Sequence, residues 1–198
     1  MVDMRQVGDE RAMLGECPVW SGVEKVLYWA DIDGRKIHRY DPKTNETTTR
    51  ELRGRPGSFA LSRFPGRLLV AQEFQLLWLD WDTGQEMLFA EIEDPATGNR
   101  MNDGRCDPAG RFVVGSMYPD GDAGRRQGLL YQVEGYGEAD IWETGVGVPN
   151  GLAFDAECSR LYWADTLEAK IWRWDYDAAT GIRRNTVSYT HLTLPTKA

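Results

Sequence analysis

No apolar run in this 198-residue chain approaches the roughly 20 residues needed to cross a bilayer, which argues against a membrane-spanning helix. The opening stretch, MVDMRQVGDERAMLGECPVW, lacks the apolar centre of a secretory signal and carries acids where one would sit. Cysteine is scarce: Cys17, Cys106 and Cys158 are odd in number and share no metal-ligand spacing. With no export signal they read as reduced thiols of a cytoplasmic protein, and the glycosylation-like tripeptide Asn45-Glu46-Thr47 reads as chance. Positive charge is also in short supply. With 31 acidic against 23 basic residues the net charge is −8 and the pI about 4.9, which speaks against nucleic acid and anionic membranes as partners. Helical periodicity is missing throughout.

Apolar residues make up 41% and charged residues 27%, enough for a packed core. Aromatics reach 11%, with eight Trp and eight Tyr, and they fall in a repeat. LYWADIDGRKIHRYD (Leu27 to Asp41) and LYWADTLEAKIWRWD (Leu161 to Asp175) agree at nine of fifteen positions without a gap. Each copy alternates aromatic or aliphatic with polar residues over two runs joined by a short polar link, the pattern of an antiparallel hairpin. Weaker echoes begin at Gly66 and Gly110, each behind a turn rich in Gly, Pro or Asp.

Strand pairs recur about every 40 to 50 residues, the period of a four-stranded propeller blade. The expected fold is therefore all-β, a β-propeller with about four blades in this chain. The segment VSYTHLTLPTKA (Val187 to Ala198) matches none of the earlier blade positions and resembles a translated sequencing adapter. The expected organisation is a partial propeller over residues 1–186 and a non-native tail over 187–198, with the natural protein continuing past about Thr186.

Three polar clusters sit in turns ahead of strands, where blades begin. LGECPVW places Glu16, RMNDGRCDPAGRF gathers Arg100, Asn102 and Asp103 within four residues, and VPNGLAFD carries Asn150. Taken singly, each has an ordinary structural reading: Glu16 as a solvated turn acid, NDG and PNG as turns, Arg100 as a surface ion-pair partner. Equivalent blade positions of a propeller point at one central channel, so the three can converge. A carboxylate with carboxamide oxygens is the ligand chemistry of a hard divalent cation, Ca²⁺ above all, with Mg²⁺ or Mn²⁺ as further fits.

LGECPVW, RMNDGRCDPAGRF followed by VGSM, and VPNGLAFD followed by LYWADT resemble, in that order, three signature regions of the SMP-30/gluconolactonase/regucalcin family of six-bladed propellers. The likeness runs from about residue 10 to residue 180. It implies one divalent metal, Ca²⁺ or Zn²⁺, and hydrolysis of sugar lactones as small-molecule substrates. It implies Glu16 and Asn150 as metal ligands, Arg100 and Asn102 as groups that hold the substrate's oxygens, Asp103 beside them, and Asp120 near a further substrate-binding position. It also implies a third ligand and general base, an aspartate one blade further on with no counterpart in the chain. Asp165 is no substitute, since its twin Asp31 in the first repeat points to a strand-end structural role. The 198-residue chain is on this reading an incomplete and inactive piece of a lactonase.

Two rivals stay open. LYWAD also resembles the YWTD repeat of receptor propellers that bind proteins, although those are secreted and flanked by cysteine-rich modules. A non-catalytic calcium-binding propeller would keep Glu16 and Asn150 without needing Arg100 and Asn102.

Overall fold

The computed structural model describes residues 6–120, 124–135 and 137–189. Within them sixteen strands form four four-stranded antiparallel sheets, each taken in chain order as a blade. Blade 1 holds β1 (Gly15–Ser21), β2 (Val26–Asp31), β3 (Lys36–Asp41) and β4 (Glu46–Glu51). Blade 2 holds β5 (Pro56–Leu61), β6 (Arg67–Gln72), β7 (Gln75–Asp80) and β8 (Glu86–Glu91). Blade 3 holds β9 (Arg100–Cys106), β10 (Phe112–Met117), β11 (Gly128–Val133) and β12 (Ala139–Val146). Blade 4 holds β13 (Pro149–Phe154), β14 (Arg160–Asp165), β15 (Lys170–Asp177) and β16 (Ile182–Tyr189). The propeller arrangement expected from the aromatic repeat is present. The first two strands of the near-identical stretches are β2 and β14, and their hairpin partners are β3 and β15.

The aromatic and aliphatic faces pack between blades. Tyr28, Ile37, Phe59, Leu68 and Trp81 close the gap between blades 1 and 2. Leu69, Leu76, Met101, Phe112 and Tyr131 fill the next gap, and Leu130, Leu152, Leu161, Trp163 and Trp174 the third. Blades covered on both sides bury nearly every residue of their second strand, as in β6 and β10. In β2 and β14, each covered on one side, burial alternates with the pleat. This leaves Leu27, Trp29 and Tyr162 half-buried on the open faces.

The innermost strands β1, β5, β9 and β13 stand side by side. Ser58 Oγ donates to the Asn102 carbonyl at 2.7 Å, linking β5 to β9. Each inner strand carries a single-residue bulge near its start. Glu16 and Val19 pair with Ala30 and Tyr28, three steps against two, and Asn150 and Ala153 pair with Ala164 and Tyr162 in the same way. Glu16 and Asn150 therefore occupy equivalent places in blades 1 and 4. The residue after each has positive φ, 51° at Cys17 and 63° at Gly151, the second being the side-chain-free residue that this geometry favours.

The strand-end aspartates do structural work. Asp31 Oδ1 accepts from the N–H groups of Leu14 (3.0 Å) and Gly34 (3.1 Å). Asp165 accepts from Gly147 (2.8 Å), Val148 (3.0 Å) and Leu167 (3.1 Å). Each ties the chain entering the inner strand of its own blade to the hairpin alongside, and so sets where Glu16 and Asn150 stand. The blade-4 closing strand runs through Val187–Tyr189, which pair with Arg173, Trp172 and Ile171. The boundary expected at residue 186 thus falls inside a strand, and residues 190–198 of the expected tail lie outside the described residues.

Candidate functional site

The starts of the four inner strands meet at one end of the channel, and the polar clusters of the sequence meet with them. Asn102, 4% exposed, is the hub. Its Oδ1 accepts from Arg100 Nη1 at 2.8 Å. Its Nδ2 donates to the Pro149 carbonyl (2.8 Å) and to Asn150 Oδ1 (2.9 Å). Asn150 Nδ2 in turn donates to Thr166 Oγ1 at 2.9 Å, which fixes the amide so that its carbonyl oxygen faces Asn102. One ordered chain of hydrogen bonds therefore runs from blade 3 into blade 4.

The bulge in β9 explains how neighbouring residues serve the same side. Met101 and Gly104 pair with Ser116 and Val114, again three steps against two. Consecutive side chains of a regular strand point to opposite faces, and the extra residue breaks that alternation. Asn102 and Asp103 consequently both reach blade 4: Asp103 Oδ2 accepts from the Leu152 N–H at 2.9 Å, and its Oδ1 accepts from Gly104 N–H at 2.9 Å.

Charge is concentrated at the same end. Burial pushes the Glu16 carboxyl above its ordinary value; the Asp103 charge adds to this and Arg100 works against it. Burial likewise raises Asp103, against the pull of the Leu152 N–H and Arg105. Arg100 is 7% exposed. Its Nη1 also donates to the Met101 carbonyl at 2.9 Å, and among the described residues no carboxylate pairs with it. A buried guanidinium without a counter-ion is costly, and it leaves Nε and Nη2 to donate to something else.

The structure thus brings Glu16, Arg100, Asn102, Asp103 and Asn150 together. Asp120 is exposed in the loop after β10, which leaves at the same end as Arg100 because Met117 pairs with Arg100, and the residues that follow, 121–123, lie outside the described ones. Two residues absent from the sequence reading stand beside Arg100. Arg55, one residue ahead of β5, donates from Nε to Glu73 Oε1 and from Nη2 to Glu73 Oε2, both at 3.1 Å. Glu73 lies in the β6–β7 turn, and its carbonyl accepts from the Met101 N–H at 2.5 Å. Arg55 could have been found by asking what precedes each inner strand; a turn glutamate carries no sequence signal.

The donors present suit a hard cation in kind: the Glu16 carboxylate, raised by burial and by a neighbouring acid, and the Asn150 amide oxygen, held in place by Thr166. In number they are few, since among the described residues no three His, Cys, Asp or Glu gather as a metal site would require.

The sequence profile of the SMP-30/Gluconolactonase/LRE-like region matches residues 14–194. A 6-deoxy-6-sulfogluconolactonase of Pseudomonas putida is 38% identical over 175 residues, 87% of this chain and 59% of that protein. The regucalcin of Xenopus laevis is 32% identical over 184 residues, 90% of this chain and 60% of that protein. A solved calcium-binding protein, regucalcin from Agrobacterium tumefaciens, superposes with a TM-score of 0.82 at 26% identity, covering 90% of this chain and 59% of that one. The chain spans about 60% of the length of the curated relatives it matches. It belongs to the SMP-30/gluconolactonase/LRE-like family.

Proposed function

We propose that this propeller opens sugar lactones at the cluster of Glu16, Arg100, Asn102 and Asn150, with a divalent cation, Ca²⁺ or Zn²⁺, held by Glu16 and Asn150. The observation that carries the reading is the Arg100–Asn102–Asn150 hydrogen-bond chain with the Glu16 carboxylate beside it. Relatives named as lactonases, among them the 6-deoxy-6-sulfogluconolactonase of Pseudomonas putida and the pentonolactonase XacC of Haloferax volcanii, support it. A cation at this place supplies Lewis acidity, drawing density from a carbonyl oxygen and favouring the oxyanion that forms as water adds.

The chain's own residues supply orientation. Arg100, with Nη1 fixed on Asn102, presents its remaining N–H groups to oxygens of the substrate. Asn102 is rigid because each end of its amide is already bonded, so a substrate meets preset partners rather than mobile ones. Asp31 and Asp165 are committed to backbone N–H groups and take no part in proton transfer. A site that only stored calcium would have no use for the open Arg100 donors.

The test is acid release from a panel of glucono-, xylono- and arabinolactones, followed in a pH-stat. It compares the 198-residue chain with the protein translated from the whole reading frame, each with and without a chelator. The whole-frame protein is expected to hydrolyse at least one lactone, with activity lost on chelation and restored by Ca²⁺ or Zn²⁺. The 198-residue chain is expected to show negligible turnover. No turnover by the whole-frame protein, or turnover indifferent to chelation, overturns the reading.

A further inference from the structure

Near Arg100 a second guanidinium, Arg55, is forked onto the Glu73 carboxylate. Arg55 and Glu73 are about a third exposed, with side-chain accessibilities of 31% and 28%, whereas Arg100 is buried. Glu73 is fully engaged by Arg55, taking its backbone N–H at 2.8 Å on Oε1 as well as the two side-chain bonds. This side-on fork uses Nε and Nη2 and leaves Nη1 with no partner among the described residues. Arg100 has the complementary pattern, with Nη1 bonded and the other donors open. The two arginines are held in register by the main chain, since Glu73 N–H donates to the Arg55 carbonyl (3.2 Å) and the Glu73 carbonyl accepts from Met101, the residue after Arg100. Burial disfavours the Arg100 charge and the nearby Arg55 guanidinium adds to this, against the pull of Asp33, Glu73 and Glu16; the hydrogen bond from Glu73 leads the causes that raise Arg55.

Glu73 shares its backbone conformation with the equivalent turns of blades 1 and 4, where Arg35 takes φ 53° and Ala169 φ 52°. It takes φ 50° in a two-residue turn between Gln72 and Gln75, where Asn or Gly is the favoured choice.

Resting on the lactone reading above, we infer that Arg55 and Arg100 together read an anionic group (sulfonate, phosphate or carboxylate) at the end of the sugar remote from the lactone carbonyl. Arg55 offers the free Nη1 edge, and Arg100 its Nε and Nη2 edge. Charge-assisted bonds from two guanidiniums suit a group with two or three equivalent oxygens better than a single hydroxyl. Glu73 holds Arg55 in place and tempers its charge, so that the two arginines prefer an anion without trapping the product.

The test is calorimetric titration of the whole-frame protein with open-chain products, at a fixed Ca²⁺ concentration. The probes are D-gluconate, 6-phospho-D-gluconate, D-glucarate and 6-deoxy-6-sulfo-D-gluconate, which separate the three anionic groups. At least one C6-anionic aldonate is expected to bind tenfold or more tightly than gluconate. Arg55→Ala is expected to reduce that ratio to within about threefold of unity. Glu73→Gln, which keeps the acceptor oxygen but removes the opposing charge, is expected to widen the ratio. A merely structural ion pair would lower the ratio in neither variant or lower it in both. A ratio near unity in the unaltered protein, an unchanged ratio in Arg55→Ala, or a reduced one in Glu73→Gln overturns the inference. Should gluconate bind while the ratio stays flat, only this inference fails; should none of the four bind, the lactone reading fails with it.

Discussion

Asn102→Ala is expected to lower kcat/KM of the whole-frame protein on its best lactone by at least about 100-fold, the loss that follows when the groups a residue positions are displaced by about an ångström. The side chain is the joint of the site. Its removal strips Arg100 Nη1 of one of its two acceptors and leaves Asn150 Oδ1 without its donor. It also removes a donor from the Pro149 carbonyl at the first residue of β13. The Asn150 oxygen remains anchored through Thr166, so calcium affinity, read by titration, is expected to stay within about fivefold. Asn102→Asp separates shape from chemistry: it keeps the volume, replaces the donor, and adds a third acid near Glu16 and Asp103. Its loss is expected to equal or exceed that of the alanine variant. A drop of less than about fivefold in Asn102→Ala contradicts this arrangement.

Gly57→Ala is expected to destabilise the protein by about 2–4 kcal/mol, in the range of overpacking against an unyielding wall. A Cβ at Gly57 would lie 2.3 Å from the Met101 carbonyl oxygen, 2.7 Å from its carbon and 2.8 Å from the Asn102 Cα. All three are backbone atoms of β9, so relief requires the inner strands of blades 2 and 3 to part. That movement would carry Arg100 and Asn102 with it. Thermal unfolding should show a fall in Tm of at least about 4 °C, since 1 kcal/mol corresponds to roughly 2–4 °C at this size. Lactone binding should weaken in the variant that remains folded. An unchanged Tm contradicts the close approach of β5 to β9.

The blades were legible because their signal is local. Period-two alternation and the shared LYWAD…D pattern are properties of one hairpin, and hairpins are what sheets are assembled from. The likeness of Glu16 to Asn150 was legible for the same reason: both stand at blade starts, and the pairing register places them at equivalent positions. Asp31 and Asp165 could be read as a structural pair because the repeat itself contained them. The bulges were not legible, since one extra residue in β9 leaves no mark in RMNDGR, and only pairing reveals that Asn102 and Asp103 face the same blade. Asp103, grouped with the substrate-holding residues from its neighbours in sequence, spends its carboxylate on the Leu152 and Gly104 N–H groups. Arg55 and Glu73 are 18 residues apart and meet through tertiary structure alone. Nothing in either short stretch distinguishes them from a solvated arginine and a turn acid.

The measurement that bears most directly on the site is a crystal structure of the whole-frame protein with Ca²⁺ and the aldonate of its best lactone. The expected result is a cation contacted by Glu16 and the Asn150 amide oxygen, with an aldonate oxygen within hydrogen-bond distance of Arg100 and Asn102. A cation bound elsewhere, or an aldonate seated away from Arg100 and Asn102, would contradict the assignment of this cluster as the lactone site.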